Sequence, residues 1–314
     1  MPAQTDIIAK LPKQSRVAII RLRSLGDCIL LTPAIQILHY ARPDLRIGVV
    51  VEDRFADVFR GNPMIAEVLT PTVRAVRAFA PALCLNLHGG SRSARLTMLS
   101  GAEIRAGLDI FKPALIYNTP IPTAQEILGI TRRVHTAEHM ASAMFYLGVE
   151  PTWIPRAFVP APEGRSPDAP AASYAVFHPL AAIPEKTWPA ASFVEAAEFV
   201  SKSMGLAPVF IGGPGEDLSA FSKWRIVSGA ALREVAQLMR DASLFLGNDS
   251  GPAHLAASFG LPLVVLFGPS DSEIWSPWRT VGKVIKANGP ISNIAVADVI
   301  RGLERVYSVQ EANR

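Results

Sequence analysis

The sequence lacks several features that would assign it to a class at once. It has no run of about 18 consecutive apolar residues, which a membrane-spanning helix requires, and Met1–Arg16 contains no apolar segment typical of a signal peptide. No cluster of Lys and Arg interleaved with aromatic residues indicates a nucleic-acid partner. The two cysteines, Cys28 and Cys84, have apolar neighbours and no metal-ligand spacing, which predicts buried thiols rather than a disulfide. We therefore expect a cytoplasmic protein.

Common motifs for cofactors and metals are also missing, and one apparent motif misleads. The first apolar run leads into Ser-Leu-Gly-Asp instead of the Gly-x-Gly-x-x-Gly turn of a dinucleotide site, and the chain has no Walker motif. His135-Thr-Ala-Glu-His139 has the H-x-x-E-H spacing of a zinc peptidase. No third ligand accompanies it, so we interpret it as part of a helix with two partly exposed histidines. The sequence predicts no metal site.

The pattern of the chain predicts two α/β domains. A length of 314 residues is enough for two domains, each with its own core. Continuous apolar runs such as Leu261–Phe267 are typical of parallel strands covered on both faces. Residues 151–172 contain six prolines, which indicate a stiff connection. We expect an N-terminal domain over residues 1–155, a linker over 156–172 and a C-terminal domain over 173–314, with a ligand in the cleft between the domains.

Apolar strands alternate with helical patterns through both halves. In the first half the predicted strands are Arg16–Leu22, Arg46–Val51, Val68–Thr70, Leu83–Leu87 and Ile104–Gly107, and the predicted helices are Ile29–Tyr40, Arg54–Arg60, Val73–Phe79, Arg92–Leu99 and His135–Leu147. In the second half the predicted strands are Tyr174–His178, Pro208–Ile211, Ser243–Leu246 and Leu263–Phe267, and the predicted helices are Ala190–Ser203, Leu232–Asp241, Pro252–Phe259 and one around Ala295–Val306.

Charge is distributed unevenly between the halves. Up to Pro155 the chain has 17 Lys and Arg against 12 Asp and Glu, a net charge of +5. From Arg156 onward it has 14 against 15, a net charge of −1. A basic first half indicates an anionic partner for that half, although excess arginines on a surface can also be simply solvated.

The segment Arg21-Leu-Arg-Ser-Leu-Gly-Asp27 follows the first predicted strand, where open α/β sheets bind ligands. Gly26 would let a substrate approach the backbone closely. Arg21 and Arg23 supply two guanidinium groups that can hold an anionic acceptor. Asp27 is then either a site carboxylate or only the cap of the following helix, and both interpretations stay open at this point.

Gly247-Asn-Asp-Ser-Gly-Pro-Ala-His254 forms a second strand–turn–helix candidate. Asp249 or Ser250 can cap the helix, and Pro252 suits its first position. The exposed amides around Gly251 and the positive helix end would suit a diphosphate, although many such turns bind nothing. His254 can contact a donor or be a satisfied core residue.

Two further segments complete the candidate set. Lys186 lies between Pro184 and Pro189 in a loop after the strand that ends at His178, where it is either a held cation or a solvated surface lysine. In Ile211-Gly-Gly-Pro-Gly-Glu-Asp217, the glycines Gly212 and Gly213 would allow a nucleotide to approach, and Glu216 could accept ribose hydroxyls.

Together these segments resemble glycosyltransferase family 9, the ADP-heptose:lipopolysaccharide heptosyltransferases. The resemblance runs from Arg16 to about Lys286, and its specificity lies in the order and spacing of the motifs. Its strongest parts are Arg21–Asp27 with Leu31-Thr-Pro-Ala34, Pro184-Glu-Lys-Thr-Trp-Pro189, Gly247–Ala257 and Leu266-Phe-Gly-Pro-Ser270, with Leu87-His-Gly-Gly90 and Gly129–His139 in support.

The resemblance implies the GT-B fold, in which two facing Rossmann-like domains enclose a cleft, and an inverting reaction without a covalent intermediate. It implies that Asp27 is the catalytic base, that Lys186 binds the donor phosphates and that Glu216 binds the ribose. Arg21 and Arg23 would face an acceptor whose Kdo sugars carry carboxylates. By the same match, the loop that holds the donor sugar and diphosphate comprises Asp249, Ser250 and Gly251.

The partners implied are a nucleotide sugar, by family default ADP-heptose, and a lipopolysaccharide-type acceptor, with no nucleic acid and with peripheral contact at the inner face of the inner membrane. No cofactor is expected, since the chain has no Asp-x-Asp motif with which metal-dependent glycosyltransferases hold a divalent ion. Two departures from the family pattern are Leu180, at a position that is often Gly, and the short passage after Asn288, where many relatives carry a cysteine-containing insertion.

Two rival functions remain beside the transferase. A sugar-nucleotide epimerase of the same fold would need an additional acid/base set, which the sequence does not show. A non-catalytic nucleotide-sugar-binding protein could retain Lys186 and Asp249, but it would have no need of Asp27. Under the transferase hypothesis, Asp27 removes a proton from the acceptor hydroxyl while Lys186 and the Ser250–Gly251 amides stabilise the departing diphosphate.

Overall fold

The computed structural model describes residues 4–312 and has two compact units, Met1–Pro160 and Ala161–Arg314. The strands of the first unit are β1 (Arg16–Ile20), β2 (Arg46–Val50), β3 (Glu67–Leu69), β4 (Leu83–Asn86), β5 (Ile104–Leu108) and β6 (Thr119–Ile121). Its helices are α1 (Ile7–Lys10), α2 (Leu25–Ala41), α3 (Val73–Phe79), α4 (Ser91–Met98), α5 (Ala124–Leu128) and α6 (Thr136–Tyr146), with short 3-10 turns at Asp53–Val58 and Ala114–Ile116.

All six strands of the first unit form one parallel sheet in the order β3-β2-β1-β4-β5-β6. The chain therefore winds outward from β1 in one direction and from β4 in the other, which is the Rossmann order. The central strands are buried on both faces, and in β1 the four residues after Arg16 are fully buried. Because β1 and β4 are neighbours, the loops that follow them meet at the topological switch point of this sheet.

The second unit repeats this architecture. Its strands are β7 (Tyr174–His178), β8 (Ala207–Gly212), β9 (Arg225–Ser228), β10 (Leu244–Asn248), β11 (Leu263–Phe267) and β12 (Gly282–Lys286). Its helices are α7 (Ala190–Ser203), α8 (Leu232–Arg240), α9 (Gly251–Ser258), α10 (Ser272–Trp275) and α11 (Val296–Ala312). The parallel sheet has the order β12-β11-β10-β7-β8-β9, so its switch point lies between β7 and β10.

Stacked aromatic rings consolidate the core of the second unit. Phe210 stacks on Phe221 with ring centroids 4.2 Å apart and on Phe177 at 4.9 Å. Trp188 is fully buried, contacts Phe193 edge-on, and donates its indole N–H to the carbonyl of Ile294 at 3.0 Å. Burial of these large rings stabilises the loop between β7 and α7, because Trp188 anchors that loop in the core.

The proline-rich stretch is held at both of its ends. Gln36 donates to the carbonyl of Arg156 at 2.8 Å, and the amide of Phe158 donates to the Thr32 hydroxyl at 2.9 Å, both within the first unit. In the second unit, Gln237 donates to the carbonyl of Glu163 at 2.9 Å. Residues 148–173 are all described, and none of them lies in a helix or strand.

The α/β class and the alternation of strands and helices are confirmed, although the short helices α1, α5 and α10 were not predicted. The predicted strands are observed, but β6, β9 and β12 were missed; each is an edge strand with exposed or half-buried residues and no apolar run. Helix α2 begins at Leu25 rather than Ile29, and Pro33 lies inside it. The helix predicted at Arg54–Arg60 is a 3-10 turn. Cys28 and Cys84 are buried free thiols, as expected.

Candidate active site

The candidate residues fall into two sets, one at the switch point of each unit. In the first unit, β1 ends at Ile20 and Ser24 occupies the cap position of α2. Asp27 is the third residue of that helix, and its Oδ2 accepts from the amide of Ser24 at 3.3 Å and from the Ser24 hydroxyl at 3.1 Å. Asp27 is therefore not the N-cap itself; it closes the cap from within the helix. Gly26 is buried in the same first turn.

Arg21 is engaged within its own unit. It is 8% exposed, pairs through Nη2 with Oδ1 of Asp27, and donates from Nη1 to the carbonyl of Leu87 at 2.5 Å. A buried guanidinium held at two points fixes the carboxylate beside it. Arg23, by contrast, is exposed. The two arginines that the sequence grouped together thus differ, since Arg21 orients Asp27 and Arg23 faces solvent.

His88 was not singled out from the sequence, yet it belongs to this set. It follows β4, the neighbour of β1, in a turn where Oδ1 of Asn86 accepts from the amides of His88 and Gly89 at 3.0 and 3.2 Å. Burial, together with the charges of Arg21 and Arg23, lowers the pKa of His88. Among the described residues, its Nδ1 has no hydrogen-bond partner. A neutral imidazole therefore lies beside the arginines at neutral pH.

In the second unit, Lys186 and Asp249 meet although 63 residues separate them. Nζ of Lys186 lies 2.9 Å from Oδ2 of Asp249, and their side chains are 30% and 9% exposed. The neighbouring residues join the two loops: Asn248 accepts from the amide of Trp188 at 3.1 Å and donates to the carbonyl of Pro179 at 2.8 Å. A partly exposed ammonium on a rigid loop is a suitable ligand for a phosphate.

Ser250 and His178 form the second pair at this switch point. The Ser250 hydroxyl lies 3.0 Å from Nδ1 of His178 and also donates to the carbonyl of Asn248 at 3.1 Å. Burial lowers the pKa of His178 to about 4, so its imidazole is neutral at physiological pH. Helix α9 begins at the next residue, Gly251, with Pro252 at its second rather than its first position. The positive end of α9 thus lies beside a neutral, hydrogen-bonded His–Ser pair.

The Gly212 turn is filled by side chains of the unit itself. A Cβ at Gly212 would lie 2.9 Å from Cδ1 of Leu218 and 3.1 Å from Oε2 of Glu216. Oε2 of Glu216 accepts from the amide of Gly213 at 2.7 Å, and the side chain is exposed. Gly212 therefore makes room for Glu216 and Leu218, a role that the sequence did not reveal, whereas a Cβ at Gly213 would meet Glu216 only at ordinary contact distance.

The remaining predicted donor contact, His254, is 5% exposed on α9.

The segment His135–His139, which has the spacing of a zinc peptidase, forms the start of a helix. His135 caps α6, and its Nδ1 accepts from the amide of Ala137 at 3.1 Å. Glu138 accepts from the His135 amide at 3.1 Å and pairs with Arg132 at 2.6 Å. His135 is 5% exposed, so the expectation of two partly exposed histidines was wrong for this residue. Within residues 4–312, no three His, Cys, Asp or Glu side chains are placed to hold a metal ion.

The two sets differ in chemistry. The first offers a carboxylate that arginine holds in place, which can accept a proton, together with an exposed arginine for an anion. The second offers a lysine and a helix N-terminus, which suit a diphosphate. Two Rossmann units of this kind are typical of the GT-B fold. None of the described helices is long and apolar enough to cross a membrane.

Comparison with known proteins identifies the family. The family model described as "Glycosyltransferase family 9 (heptosyltransferase)" matches residues 72–293, more than half of the chain. The chain belongs to this family and is a glycosyltransferase. The lipopolysaccharide heptosyltransferase 1 of Salmonella typhimurium is 25% identical over 290 residues, which cover 82% of this chain and 89% of the relative.

Solved structures confirm the GT-B fold. A family 9 glycosyltransferase from Veillonella parvula superposes with a TM-score of 0.83 at 23% identity, covering 98% of this chain and 99% of the other. The ADP-heptose lipopolysaccharide heptosyltransferase II of E. coli superposes with a TM-score of 0.81 at 19% identity, covering 94% and 99%. Both likenesses extend over nearly the whole of each chain, so the fold of the family applies to both units.

Proposed function

We propose that this glycosyltransferase moves heptose from ADP-heptose onto a lipopolysaccharide-type acceptor with inversion at the anomeric carbon. Relatives that align over most of the chain are lipopolysaccharide heptosyltransferases, which supports the donor and the acceptor class. The basic first half, with a net charge of +5 up to Pro155, suits an acceptor that carries carboxylates and phosphates. Such an acceptor is anchored in a lipid bilayer, so the enzyme would work at the cytoplasmic face of the inner membrane.

The observation that carries the proposal is the fixed carboxylate of Asp27. Its Oδ1 is held by Arg21 and its Oδ2 by Ser24, so the carboxylate has a defined orientation. In the proposed reaction, Asp27 removes the proton from the acceptor hydroxyl as the oxygen attacks the anomeric carbon, and the bond to the diphosphate breaks on the opposite face. Arg23 would bind an anionic group of the acceptor, whereas Arg21 acts as a positioning residue.

The second set would hold the donor. Lys186 is 2.9 Å from Asp249, and binding of a diphosphate would bring additional negative charge to the same ammonium. The Ser250–Gly251 amides at the start of α9 would donate to the phosphate oxygens, and His178 would orient the Ser250 hydroxyl. Glu216 would accept from the ribose hydroxyls. As ADP departs, negative charge develops on it, and these donors stabilise that charge.

The proposal includes transfer without a required metal ion. The positive charge that metal-dependent transferases take from a divalent ion would come here from Lys186 and from the N-terminus of α9. The sequence also has no Asp-x-Asp motif.

The test of the proposed function is acceptor-dependent release of ADP from ADP-heptose, with the product identified by mass. Transfer is expected only when both substrates are present, and the new linkage should have the inverted configuration. Isomerisation of the sugar nucleotide without acceptor would instead indicate an epimerase, and binding without turnover would indicate a binding protein. Either result would contradict the proposal.

A further inference from the structure

Ser250 occupies the cap position of α9, but its side chain does not cap the helix. A serine at this position usually accepts a hydrogen bond from an amide in the first helical turn. Here the side chain makes no such bond, and its hydroxyl contacts His178 and the carbonyl of Asn248 instead. Ser250 is thus the cap residue by position, as the sequence allowed, while its hydroxyl serves another role.

The groups around this hydroxyl determine the direction of both hydrogen bonds. A carbonyl oxygen can only accept, so the single proton of the Ser250 hydroxyl lies on the 3.1 Å bond to Asn248. His178 must then donate its Nδ1–H to the Ser250 oxygen at 3.0 Å. The imidazole fills one lone pair of that oxygen, which leaves the second lone pair to accept from a ligand.

The fold holds His178 in the state that this arrangement requires. His178 is the last residue of β7 and lies opposite Gly247 in the neighbouring strand β10, three residues before Ser250. The imidazole is buried, and burial lowers its pKa to about 4, so it carries a single N–H at neutral pH. Within residues 4–312 its hydrogen-bond partner is Ser250 alone. The single N–H is therefore committed to Ser250.

An oxygen that can only accept discriminates among the groups of a nucleotide sugar. Ionised phosphate oxygens are acceptors and offer it no proton, whereas sugar hydroxyls can donate. The Ser250 side chain is partly exposed, so a ligand hydroxyl can reach it. The remaining lone pair therefore suits a sugar hydroxyl, while the main-chain amides at the start of α9 suit the diphosphate.

The order of the strands separates the two sugars of the proposed donor. Glu216, which would bind the ribose, follows β8, whereas Ser250 follows β10. Strand β7, which leads to Lys186, lies between β8 and β10 in the sheet. A diphosphate held by Lys186 would therefore have the ribose on its β8 side and the transferred sugar on its β10 side. Ser250 is thus placed for a hydroxyl of the transferred sugar.

We propose that His178 is a positioning residue that holds the Ser250 oxygen as a hydrogen-bond acceptor for a hydroxyl of the transferred sugar. This contact forms with a nucleotide sugar and is absent with the free nucleoside diphosphate. It therefore favours binding of the donor over binding of the product at the same site. This inference rests on the proposed function, because it assigns a role within the proposed donor site.

Calorimetry with ADP-heptose and, separately, with ADP tests the contact in the absence of acceptor. Ser250→Ala should weaken binding of ADP-heptose about fivefold, because one hydrogen bond is lost, and should change binding of ADP by less than about twofold. Ser258→Ala is the matched control. It removes a hydroxyl from the last residue of the same helix, where the side chain donates to the carbonyl of Leu255, and it should leave both affinities unchanged.

A double-mutant cycle tests whether His178 acts through Ser250. His178→Leu should lower the preference for ADP-heptose over ADP about as much as Ser250→Ala does, and the double variant should lower it no further. His178→Asn should restore much of the preference, because the asparagine amide can place an N–H close to the position of Nδ1. A purely structural role of His178 would instead weaken both ligands together. Thermal unfolding shows that each variant is folded, and the Ser250→Ala measurements decide the contact independently of the His178 variants.

Equal weakening of ADP and ADP-heptose in Ser250→Ala, or no weakening of either, would overturn the proposal, and so would an unchanged preference in His178→Leu. Acceptor-dependent release of ADP by the wild type separates this inference from the proposed function. Transfer by the wild type, combined with equal weakening of both ligands in Ser250→Ala, would contradict the inference alone. A wild type that shows the expected preferences in binding but transfers nothing would contradict the proposed function alone.

Discussion

The two units of the molecule have the same strand order but carry candidate groups of opposite charge, a carboxylate in the first unit and an ammonium group in the second. Each builds a six-stranded parallel sheet in the Rossmann order, and each places its candidate residues after the two central strands. The first unit presents Asp27 held by Arg21, whereas the second presents Lys186, Ser250 and the start of α9. Because the frameworks match, the difference between the proposed proton-accepting end and the proposed diphosphate-binding end lies in the loops alone.

The largest expected effect is a loss of turnover, with little change in donor affinity, when the proposed base Asp27 is replaced. Asp27→Asn keeps the size of the side chain and loses the basic carboxylate, so turnover should fall about 100- to 10,000-fold. Affinity for ADP, measured by calorimetry, should stay within about threefold, because ADP would bind the second unit. Asp44→Asn is the matched control, since Asp44 pairs with Arg42 beyond the far end of α2 and should keep full turnover. Wild-type turnover in Asp27→Asn would show that the base is elsewhere.

The second prediction concerns the opposite unit. Lys186→Ala removes one charged donor from the proposed diphosphate site, which should weaken ADP binding about 30-fold and slow transfer as well. Lys202→Ala is the control, because Lys202 pairs with Glu198 on the surface of the same unit. Calorimetry with ADP measures both variants. Unchanged affinity and rate in Lys186→Ala would show that Lys186 does not bind the diphosphate.

A smaller effect follows from the buried imidazole of the second unit. The pKa of His178 is lowered to about 4 by burial, against about 6.5 in the unfolded chain. As pH falls from 7 to 5, the unfolded state takes up a proton that the folded state does not, so His178 should reduce the free energy of unfolding by about 2 kcal/mol. At pH 7 and above this stabilisation is fully present.

Urea unfolding at pH 7 and pH 5 measures that difference. His178→Gln cannot be protonated, so its free energy of unfolding should fall less than that of the wild type over this interval. His39→Gln, a change near the end of α2 in the first unit, should behave as the wild type does. Identical pH dependence in the wild type and His178→Gln would mean that His178 is protonated in the folded protein.

The smallest expected effect is that of metal removal. Turnover after exhaustive EDTA treatment should stay within about twofold of the untreated value, because Lys186 and α9 would supply the positive charge. His135→Ala with His139→Ala should also keep turnover, with a stability loss of about 1 kcal/mol from the cap of α6. Activity that is lost with EDTA and returns only with added metal would overturn the proposed mechanism.

The sequence predicted the central strands well because burial on both faces leaves continuous apolar runs. The edge strands β6, β9 and β12 carry polar or half-exposed residues, so their positions depend on pairing that no local pattern shows. Helix α2 begins earlier than predicted because the prediction used the apolar periodicity alone. The cap formed by Ser24 and Asp27 is a local signal that this periodicity does not include.

The candidate site was predictable in its positions and not in its contacts. Residues that follow parallel strands were correctly expected at the ends of β1, β7 and β10. The sequence could not show that Arg21 turns to Asp27, or that Lys186 reaches Asp249 across 63 residues, because such pairs form only when the strands are placed side by side. His88 gave two weak signals, its place after the apolar run that ends at Leu87 and its position within the supporting motif Leu87-His-Gly-Gly90.

We propose that the donor nucleotide binds the second unit. Amide hydrogen exchange with and without ADP tests it directly. Protection is predicted at Ser250–His254 at the start of α9 and around Lys186, whereas Ser24–Asp27 in the first unit should exchange at the same rate in both states. ADP-dependent protection centred on Ser24–Asp27, with none at Ser250–His254, would contradict it.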